Sequence, residues 1–454
     1  MKIAFLTLGC KVNSYETEKM KTQFQEKGHQ IVAFSDVADV YVVNTCTVTN
    51  IADRKSRKML HRARKRNEKA VVVAAGCYVD SAKQKGEEDE SVDLFLSNTE
   101  KEKLVSRVEQ LYFERNRETG SPSQISSPQE IPPKNRMDEK SGHTRAYIKI
   151  QDGCNQYCTY CIIPYVRGQL TSRSNQDILA ETEKLAQQGY QEIVITGIHL
   201  SSFGVDRQEK KTDANSFLEL EGAPLLELLE QMEQIAGIER IRLGSLEPRI
   251  ITQNFVERLS RIRKVCPHFH LSLQSGCDET LRRMNRHYTS EEYLQKVELL
   301  RTYFSHPAIT TDIIVGFPGE SREEFETTCD FAEKVSFARI HVFKYSRRHG
   351  TVADAMEGQV AETEKKIRSD RLLEIAERLE RNYQQHFFHQ TEKILWEEIA
   401  LIDGKPYLVG YNRRYVRLAL PVSEQENPEQ WCNRIVEVSV AGRVNQEVLL
   451  GKVL

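Results

Sequence analysis

The sequence predicts a multidomain α/β protein: an N-terminal parallel α/β sheet domain, a partial (β/α)6 barrel and a small C-terminal β-barrel. Three observations carry this expectation. Short apolar runs alternate with charged, helix-periodic stretches over roughly the first 110 residues, and again between residues 146 and 343. A stretch rich in Pro, Ser, Gln and charge separates the two alternations, the composition of a linker. Beyond residue 392 the pattern changes to short runs of β-branched and aromatic residues. The implied boundaries are 1–113 for the first domain, 114–140 for the linker, 141–370 for the barrel, and 371–454 for a connector helix and the β-barrel.

Composition bounds the function. The 454-residue chain has a formal net charge of -2 with 29% charged residues, so a polyanionic partner must be met by local basic patches and not by the overall field. No run approaches ~18 consecutive apolar residues, and Met1-Lys2-Ile3-Ala4-Phe5-Leu6 is too short for the apolar core of a signal peptide. The expectation is a cytoplasmic protein with no membrane partner. Ten cysteines in such a chain point to metal or redox chemistry, because the cytosol keeps thiols reduced.

In the first domain the expected strands are Lys2 to Leu8, Val40 to Asn44, Ala70 to Ala75 and Val92 to Leu96. A helix should start from Ser14 as N-cap and stop after Lys27, at Gly28. Cys10, Cys46 and Cys77 follow the first three strands at intervals of 36 and 31 residues, about one βαβ unit each. All three then project from the carboxyl edge of one sheet, where open α/β folds keep their ligands; buried structural cysteines are the plainer alternative. Gly9 and Gly76, each directly before a cysteine, let the backbone turn sharply. Residues 51–69 are the densest basic stretch, running from Arg54 and Lys55 to Arg66 and Lys69. They suit a solvated helix face or contact with RNA phosphates.

In the barrel the expected strands are Ala146 to Gln151, Glu192 to Thr196, Arg240 to Leu246, Phe269 to Leu273, Ile309 to Val315 and Arg339 to Phe343. The loop after the first carries Cys154, Cys158 and Cys161. Three thiolates at this spacing can ligate three irons of a 4Fe-4S cubane and leave the fourth open, whereas a zinc site closes with four ligands. A loop after a strand lies at the carboxyl-end face, where barrel active sites assemble. A polar insert at about 204–215 interrupts the unit after the second strand. Cys266, Cys277, Cys329 and Cys432 fall in no ligand motif and are expected as packing or surface residues. Residues 361–390 read as a charged connector helix. Strands Lys393 to Ile399, Tyr407 to Leu418 and Val436 to Val440 follow, with Asp403-Gly404 as a hairpin turn in a five-stranded barrel. Tyr411, Arg413, Arg414, Tyr415 and Arg417 interleave aromatic and cationic side chains, a composition suited to stacking bases and pairing phosphates.

The spacing Cys154-x3-Cys158-x2-Cys161 resembles the radical S-adenosylmethionine (SAM) superfamily, in which SAM chelates the open iron. Further motifs are Leu8-Gly9-Cys10-Lys11-Val12-Asn13-Ser14-Tyr15-Glu16, Asn44-Thr45-Cys46-Thr47-Val48, Gly76-Cys77 and the tract from Thr311 to Glu320. With these the whole chain resembles the methylthiotransferases, which join an N-terminal cluster domain, a radical SAM core and a C-terminal TRAM barrel in that order. The opening motif is similar to the bacterial tRNA branch that acts on N6-threonylcarbamoyladenosine. The isopentenyladenosine branch tends to open Tyr-Gly-Cys-Gln-Met-Asn, and the ribosomal-protein branch carries Lys-Asn then Asp-Ser.

This resemblance implies two 4Fe-4S clusters, one on Cys10, Cys46 and Cys77 and one on Cys154, Cys158 and Cys161. It implies a transferase that makes the 2-methylthio derivative of the modified adenosine at position 37, next to the anticodon. The C2–H of adenine offers no acidic proton and no leaving group, so a radical is required; one SAM would be cleaved to a 5′-deoxyadenosyl radical while a second methylates the sulfur. The implied partners are tRNA, an external electron donor and a sulfur source. For SAM, Tyr160 is placed to pack against the adenine, Thr196-Gly197 resembles the glycine motif that receives the amino group, and Glu247 is a candidate contact to ribose or amine, or else a loop carboxylate. The competing readings are the same chemistry on isopentenyladenosine or on a ribosomal-protein aspartate, and a non-catalytic iron-sulfur electron carrier. Two triplets, each one ligand short, argue against the carrier.

Overall fold

The computed structural model describes residues 1–86, 89–118, 144–208, 215–424 and 427–454. The chain divides into two compact units. The first takes the N-terminal residues together with 160–169 and 346–351; the second takes the rest of the core and the C-terminal residues.

The first unit is a five-stranded parallel sheet in the order β2-β1-β3-β4-β5, made of β1 (Lys2–Thr7), β2 (Gln30–Val32), β3 (Val40–Thr45), β4 (Val71–Gly76) and β5 (Leu94–Leu96). Every residue of β3 and β4 is buried, because helices cover both faces. On one face α1 (Lys11–Glu26) and α4 (Leu104–Glu118) place Met20, Phe24, Leu104 and Val108 against Ile3, Val40, Val42 and Val73. On the other, α2 (Asn50–Arg66) and α3 (Cys77–Lys85) place Leu60, Ala63, Val79 and Ala82 against Ala4, Tyr41, Val43 and Val72. The four expected strands are present, and the short edge strand β2 was not foreseen. The first helix begins at Lys11 with Cys10 as its N-cap, one turn before the expected Ser14. Residues 114–118, expected as linker, continue α4, where Arg115 pairs with Asp93; the rest of the expected linker, 119–140, lies outside the described residues.

The second unit carries β6 (Ala146–Asp152), β7 (Thr171–Ser172), β8 (Glu192–Gly197), β9 (Arg240–Leu243), β10 (His268–His270), β11 (Ala308–Val315) and β12 (Arg339–Lys344). They form sheets β7-β6-β8-β9 and β10-β11-β12, joined by the bridges Ile241–Val265 and Leu246–Leu271. Apart from the antiparallel edge strand β7, all six strands run parallel. Alternate residues, among them Ile148, Ile193, Ile241, Phe269, Ile309 and Ile340, are buried in a helix-facing core; their neighbours face the concave side of an open (β/α)6 array. The polar insert contributes a turn at Val205–Arg207, and its residues 209–214 lie outside the described residues. The connector is the helix Glu362–Gln385, with Leu372, Ile375, Ala376 and Leu379 in the same core.

The C-terminal barrel is closed in the order β13-β14-β15-β17-β16, from β13 (Thr391–Ile402), β14 (Lys405–Tyr411), β15 (Arg417–Pro421), β16 (Ile435–Arg443) and β17 (Leu449–Val453). Asp403 and Gly404 take φ of 49° and 78°, as a two-residue hairpin turn requires. The single strand expected over Tyr407 to Leu418 is instead split. The Asn412 side chain accepts from the backbone N–H of Arg414 (3.0 Å) and Val416 (2.9 Å), and Tyr415 is left-handed at φ 64°. The last strand, β17, had not been read from the sequence.

Candidate functional site

Because β1, β3 and β4 are neighbours at the centre of the first sheet, their carboxyl ends deliver Cys10, Cys46 and Cys77 to one place. Cys10 caps α1 and Cys77 opens α3, so two of the three cysteines sit at helix amino ends, where unpaired N–H groups suit an anionic group. The turns touch closely. A Cβ added at Gly9 (φ +103°) would lie 2.9 Å from Cys46 Cβ and 3.1 Å from its Sγ, and one at Gly76 (φ +98°) 2.8 Å from Asn44 Oδ1. Burial pushes the Cys46 thiol up to about 11, with Cys77 and Cys10 adding to the shift. It therefore stays protonated until a metal displaces the proton.

Buried polar contacts fix these turns. Asn13 Nδ2 donates to Leu8 O (2.7 Å) and Thr45 O (2.9 Å), and Asn44 Nδ2 donates to Asn13 O (2.9 Å), which ties the Cys10 and Cys46 turns together. Arg167, buried at the end of α5 (Ile163–Arg167), donates to Asn13 Oδ1 (2.7 Å) and Glu16 Oε1 (3.1 Å), and Lys101 pairs with Glu16 from α1. Arg348 donates to Thr47 Oγ1 (2.6 Å), Asp53 Oδ2 (2.7 Å) and Asn50 Oδ1 (2.9 Å), holding the turn after Cys46. Asn98 Nδ2 lies 3.5 Å from Cys77 Sγ. Asn13 and Glu16 belong to the opening motif; Arg167, Arg348 and Asn98 were missed, since an isolated Arg or Asn carries no spacing signal.

In the second unit Cys154 and Cys158 occupy the loop after β6, and burial pushes the Cys154 thiol up to about 11. Arg286 Nη1 lies 3.3 Å from Cys158 Sγ, and the same guanidinium donates to Ser272 O (3.2 Å) and covers the Tyr288 ring at 4.9 Å. The loop is pinned by Asn285 Nδ2 to Tyr157 O (3.1 Å) and by Thr159 N to Met284 O (3.1 Å). Arg286, like Arg167 and Arg348, stands in no motif spacing of the sequence. Cys161 and Tyr160 are half-buried and open the segment that belongs to the first unit.

Gly197 ends β8 against Gln151, whose Oε1 would be 2.9 Å from an added Cβ. Glu247 is buried, and its carboxylate accepts from Arg249 Nε (2.7 Å) and Arg249 N (2.8 Å), capping the turn that follows β9. Its contacts are those of a loop carboxylate.

The aromatic and cationic cluster of the β-barrel differs most from expectation. Tyr411 and Tyr415 stack on each other at 4.6 Å, with the Arg145 guanidinium over both rings and Arg242 over Tyr415. Arg413 donates to Val265 O (2.7 Å), and Arg414 donates to His306 O (3.0 Å) and Ser305 O (2.9 Å). Arg240 and Arg242 return the contact by donating to Tyr411 O (3.1 Å) and Arg413 O (2.9 Å). Fully buried Glu192 lies between these arginines; burial alone would raise its carboxyl, but Arg242 at 2.7 Å together with Arg145 and Arg240 outweighs that and keeps it low. Arg145, Glu192, Arg240 and His268 all stand at strand starts, so the β-barrel closes the amino-terminal mouth of the array, opposite the cysteine loop. Arg417, half-buried opposite Tyr411, makes no side-chain hydrogen bond among the described residues, and its Nε is buried without a partner.

The Radical SAM superfamily matches residues 148–332, and Uncharacterized protein family UPF0004 matches residues 2–97. The chain is 35% identical to the threonylcarbamoyladenosine tRNA methylthiotransferase MtaB of Bacillus subtilis over 96% of this chain and 93% of that one. It is 38% identical to the MtaB of Aquifex aeolicus over 86% and 91%, and 33% identical to the tRNA-2-methylthio-N(6)-dimethylallyladenosine synthase of Acetivibrio thermocellus over 88% and 81%. Among solved structures, the radical SAM methyltransferase TsrM of Kitasatospora setae shares the fold, at a TM-score of 0.50 and 15% identity over 78% of this chain and 77% of that one.

Proposed function

The chain belongs to the radical SAM methylthiotransferases of the threonylcarbamoyladenosine tRNA type, and from that premise we propose how its own residues serve the reaction. It is a transferase that converts N6-threonylcarbamoyladenosine in tRNA to the 2-methylthio derivative, with SAM and 4Fe-4S clusters as cofactors. The similarity over nearly the full length, with Cys10, Cys46 and Cys77 after three neighbouring strands and Cys154 and Cys158 in the loop after β6, carries this reading. Position 37 is the proposed site of action.

We assign Cys10, Cys46 and Cys77 to one cluster and Cys154, Cys158 and Cys161 to the other. The glycine turns that no Cβ could enter, the two helix amino ends and Arg286 beside Cys158 fit such anionic groups. When bound, the SAM-ligating cluster supplies an electron for SAM cleavage, and the second supplies sulfur. The protein's part is positional. Asn13, Arg167 and Arg348 hold the sulfur-side turns, and Arg286 holds Cys158. Tyr160 and Gly197 receive SAM, and Glu247 fixes the loop after β9 through Arg249. With Tyr411, Arg413, Arg414 and Tyr415 engaged inside the chain, the grip on RNA phosphates falls to Arg417 and to the exposed face of α2. An external electron donor, a sulfur source and a cytoplasmic setting complete the reading; no helix among the described residues is long and apolar enough to cross a membrane.

Mass spectrometry of tRNA nucleosides tests the assignment. Cells lacking this protein should lose 2-methylthio-N6-threonylcarbamoyladenosine, regain it with the wild-type chain and not with Cys158→Ala. The dimethylallyladenosine synthases among the relatives favour one alternative, which a selective loss of the 2-methylthio dimethylallyl nucleoside would establish instead.

A further inference from the structure

Besides the two cysteine triplets, the second unit gathers another set of ligand-type side chains. His270 on β10, Asp312 on β11 and His341 on β12 stand on adjacent parallel strands, and one ligand atom from each lies within 4.8 Å of the other two. Phe269, Leu271, Ile309, Ile313 and Ile340 are buried in the helix-facing core, so the alternation turns the three polar residues to the concave side. Asp312 and His341 are direct register partners, and His270 pairs with Thr310.

The spacing fits a metal. His270 Nε2 is 3.4 Å from Asp312 Oδ2, and two ligands at about 2.1 Å from a tetrahedral ion stand about 3.4 Å apart. His270 Nδ1 lies 3.1 Å from Thr310 Oγ1, a contact that orients the ring and leaves Nε2 directed at Asp312. The His341 ring is 6.0 Å from that of His270 and belongs to the exposed edge strand, which leaves an entry path for an ion. Two imidazoles and one carboxylate suit a borderline divalent ion such as zinc, cobalt or manganese, and not the iron-sulfur clusters that thiolates hold.

We propose that His270, Asp312 and His341 form a third metal site, on the concave face of the array, for one divalent transition-metal ion with remaining positions open to oxygen ligands. Methylthiotransferase activity does not require this assignment, and the assignment does not rest on it.

Cobalt binding to the holoenzyme tests the site. Protein with both clusters loaded under anaerobic conditions would be titrated with Co2+ and read by elemental analysis and visible absorption. The expected result is one cobalt per chain, with weak ligand-field bands and no sulfur-to-cobalt charge transfer. His270→Gln and His341→Gln should each weaken binding more than tenfold with iron content and thermal melting unchanged. Thr310→Val, which removes only the orienting hydroxyl, should weaken it about tenfold. Cobalt retention no greater than in the His270→Gln/His341→Gln double variant would reduce the trio to an Asp–His ion pair with a second imidazole beside it. Charge-transfer bands placing the cobalt on cysteine would overturn the proposal equally.

Discussion

At the scale of single residues, Arg167 holds the Cys10 turn through Asn13, which itself donates to Leu8 O and Thr45 O. It is buried and joins two acceptors, Asn13 Oδ1 and Glu16 Oε1, on the helix that Cys10 caps. Arg167→Ala takes one cation from the buried Glu16 carboxylate, and breaking a buried pair of this kind costs about 3 kcal/mol. Urea denaturation should show that loss, and iron per chain should fall from about eight toward about four as the N-terminal cluster fails to assemble; iron unchanged in the folded variant would confine Arg167 to a stability role. His199 gives a pH dependence. Burial, reinforced by Arg286 and Arg249, pushes its imidazole down to about 3 from 6.5. Below about pH 6.5 the unfolded chain binds a proton that the folded chain refuses, so this site's contribution is full above 6.5 and is lost as the pH falls toward 3. The denaturation midpoint should drop between pH 8 and pH 5.5, and His199→Gln should flatten that drop. Neither role was readable beforehand. Arg167 is one of many arginines, and what singles out both residues is the set of groups folded around them.

At the scale of elements, strand positions and the carriage of cysteines at strand ends were legible because apolar period and cysteine spacing are local properties of the chain. The start of α1 was not. Ser14 is the better N-cap by residue type, yet the left-handed turn at Gly9 ends β1 abruptly and lets the helix begin at Lys11. The break between β14 and β15 was hidden for a related reason. Tyr411, Arg413 and Tyr415 have strand-like composition, but the buried Asn412 side chain collects two backbone N–H groups and forces a turn. Glycine at position 9 can be tested against a built-in control. Gly28 is also left-handed, at φ +78°, with nothing within 4 Å of an added Cβ, so Gly28→Ala carries conformational strain of about 1–2 kcal/mol and no collision. Gly9→Ala adds a Cβ 3.1 Å from the Cys46 sulfur. It should cost more stability than Gly28→Ala and should lose N-terminal cluster iron, which Gly28→Ala should keep; equal iron in the two variants would mean that the tight turn is not needed for the cluster.

At the scale of the whole molecule, a chain of net charge -2 must bind a polyanion, and composition alone offered two basic regions for the task. The structure separates them. Arg413 and Arg414 spend their donors on carbonyls of Val265, Ser305 and His306, and the two tyrosine faces are covered by each other and by Arg145. Composition made these residues look like a nucleic-acid surface, because it records side-chain type and not the neighbour that claims it. On α2 the buried stripe is Asp53, Ser56, Leu60 and Ala63, which turns Arg54, Lys55, Lys58, Arg62 and Lys65 outward into solvent. The helix also begins only four residues after Cys46, one of the proposed cluster ligands. Each phosphate neutralised by one of these cations releases a condensed counterion, and each lost contact lowers the slope of log affinity against log salt by about 0.7 to 0.9. Changing Arg54, Lys58 and Arg62 together to Ala should therefore flatten that slope for tRNA by about two to three and weaken binding most at low salt. Changing Arg413 and Arg414 should instead destabilise the fold with little change in slope. SAM cleavage without tRNA should stay near normal in the α2 variant, since none of its three residues touches a cysteine loop. A full salt slope in the α2 variant and a flattened one in a folded Arg413/Arg414 variant would move the RNA contact from α2 to the β-barrel residues around Arg417, and would require the tyrosine stack to open when tRNA binds.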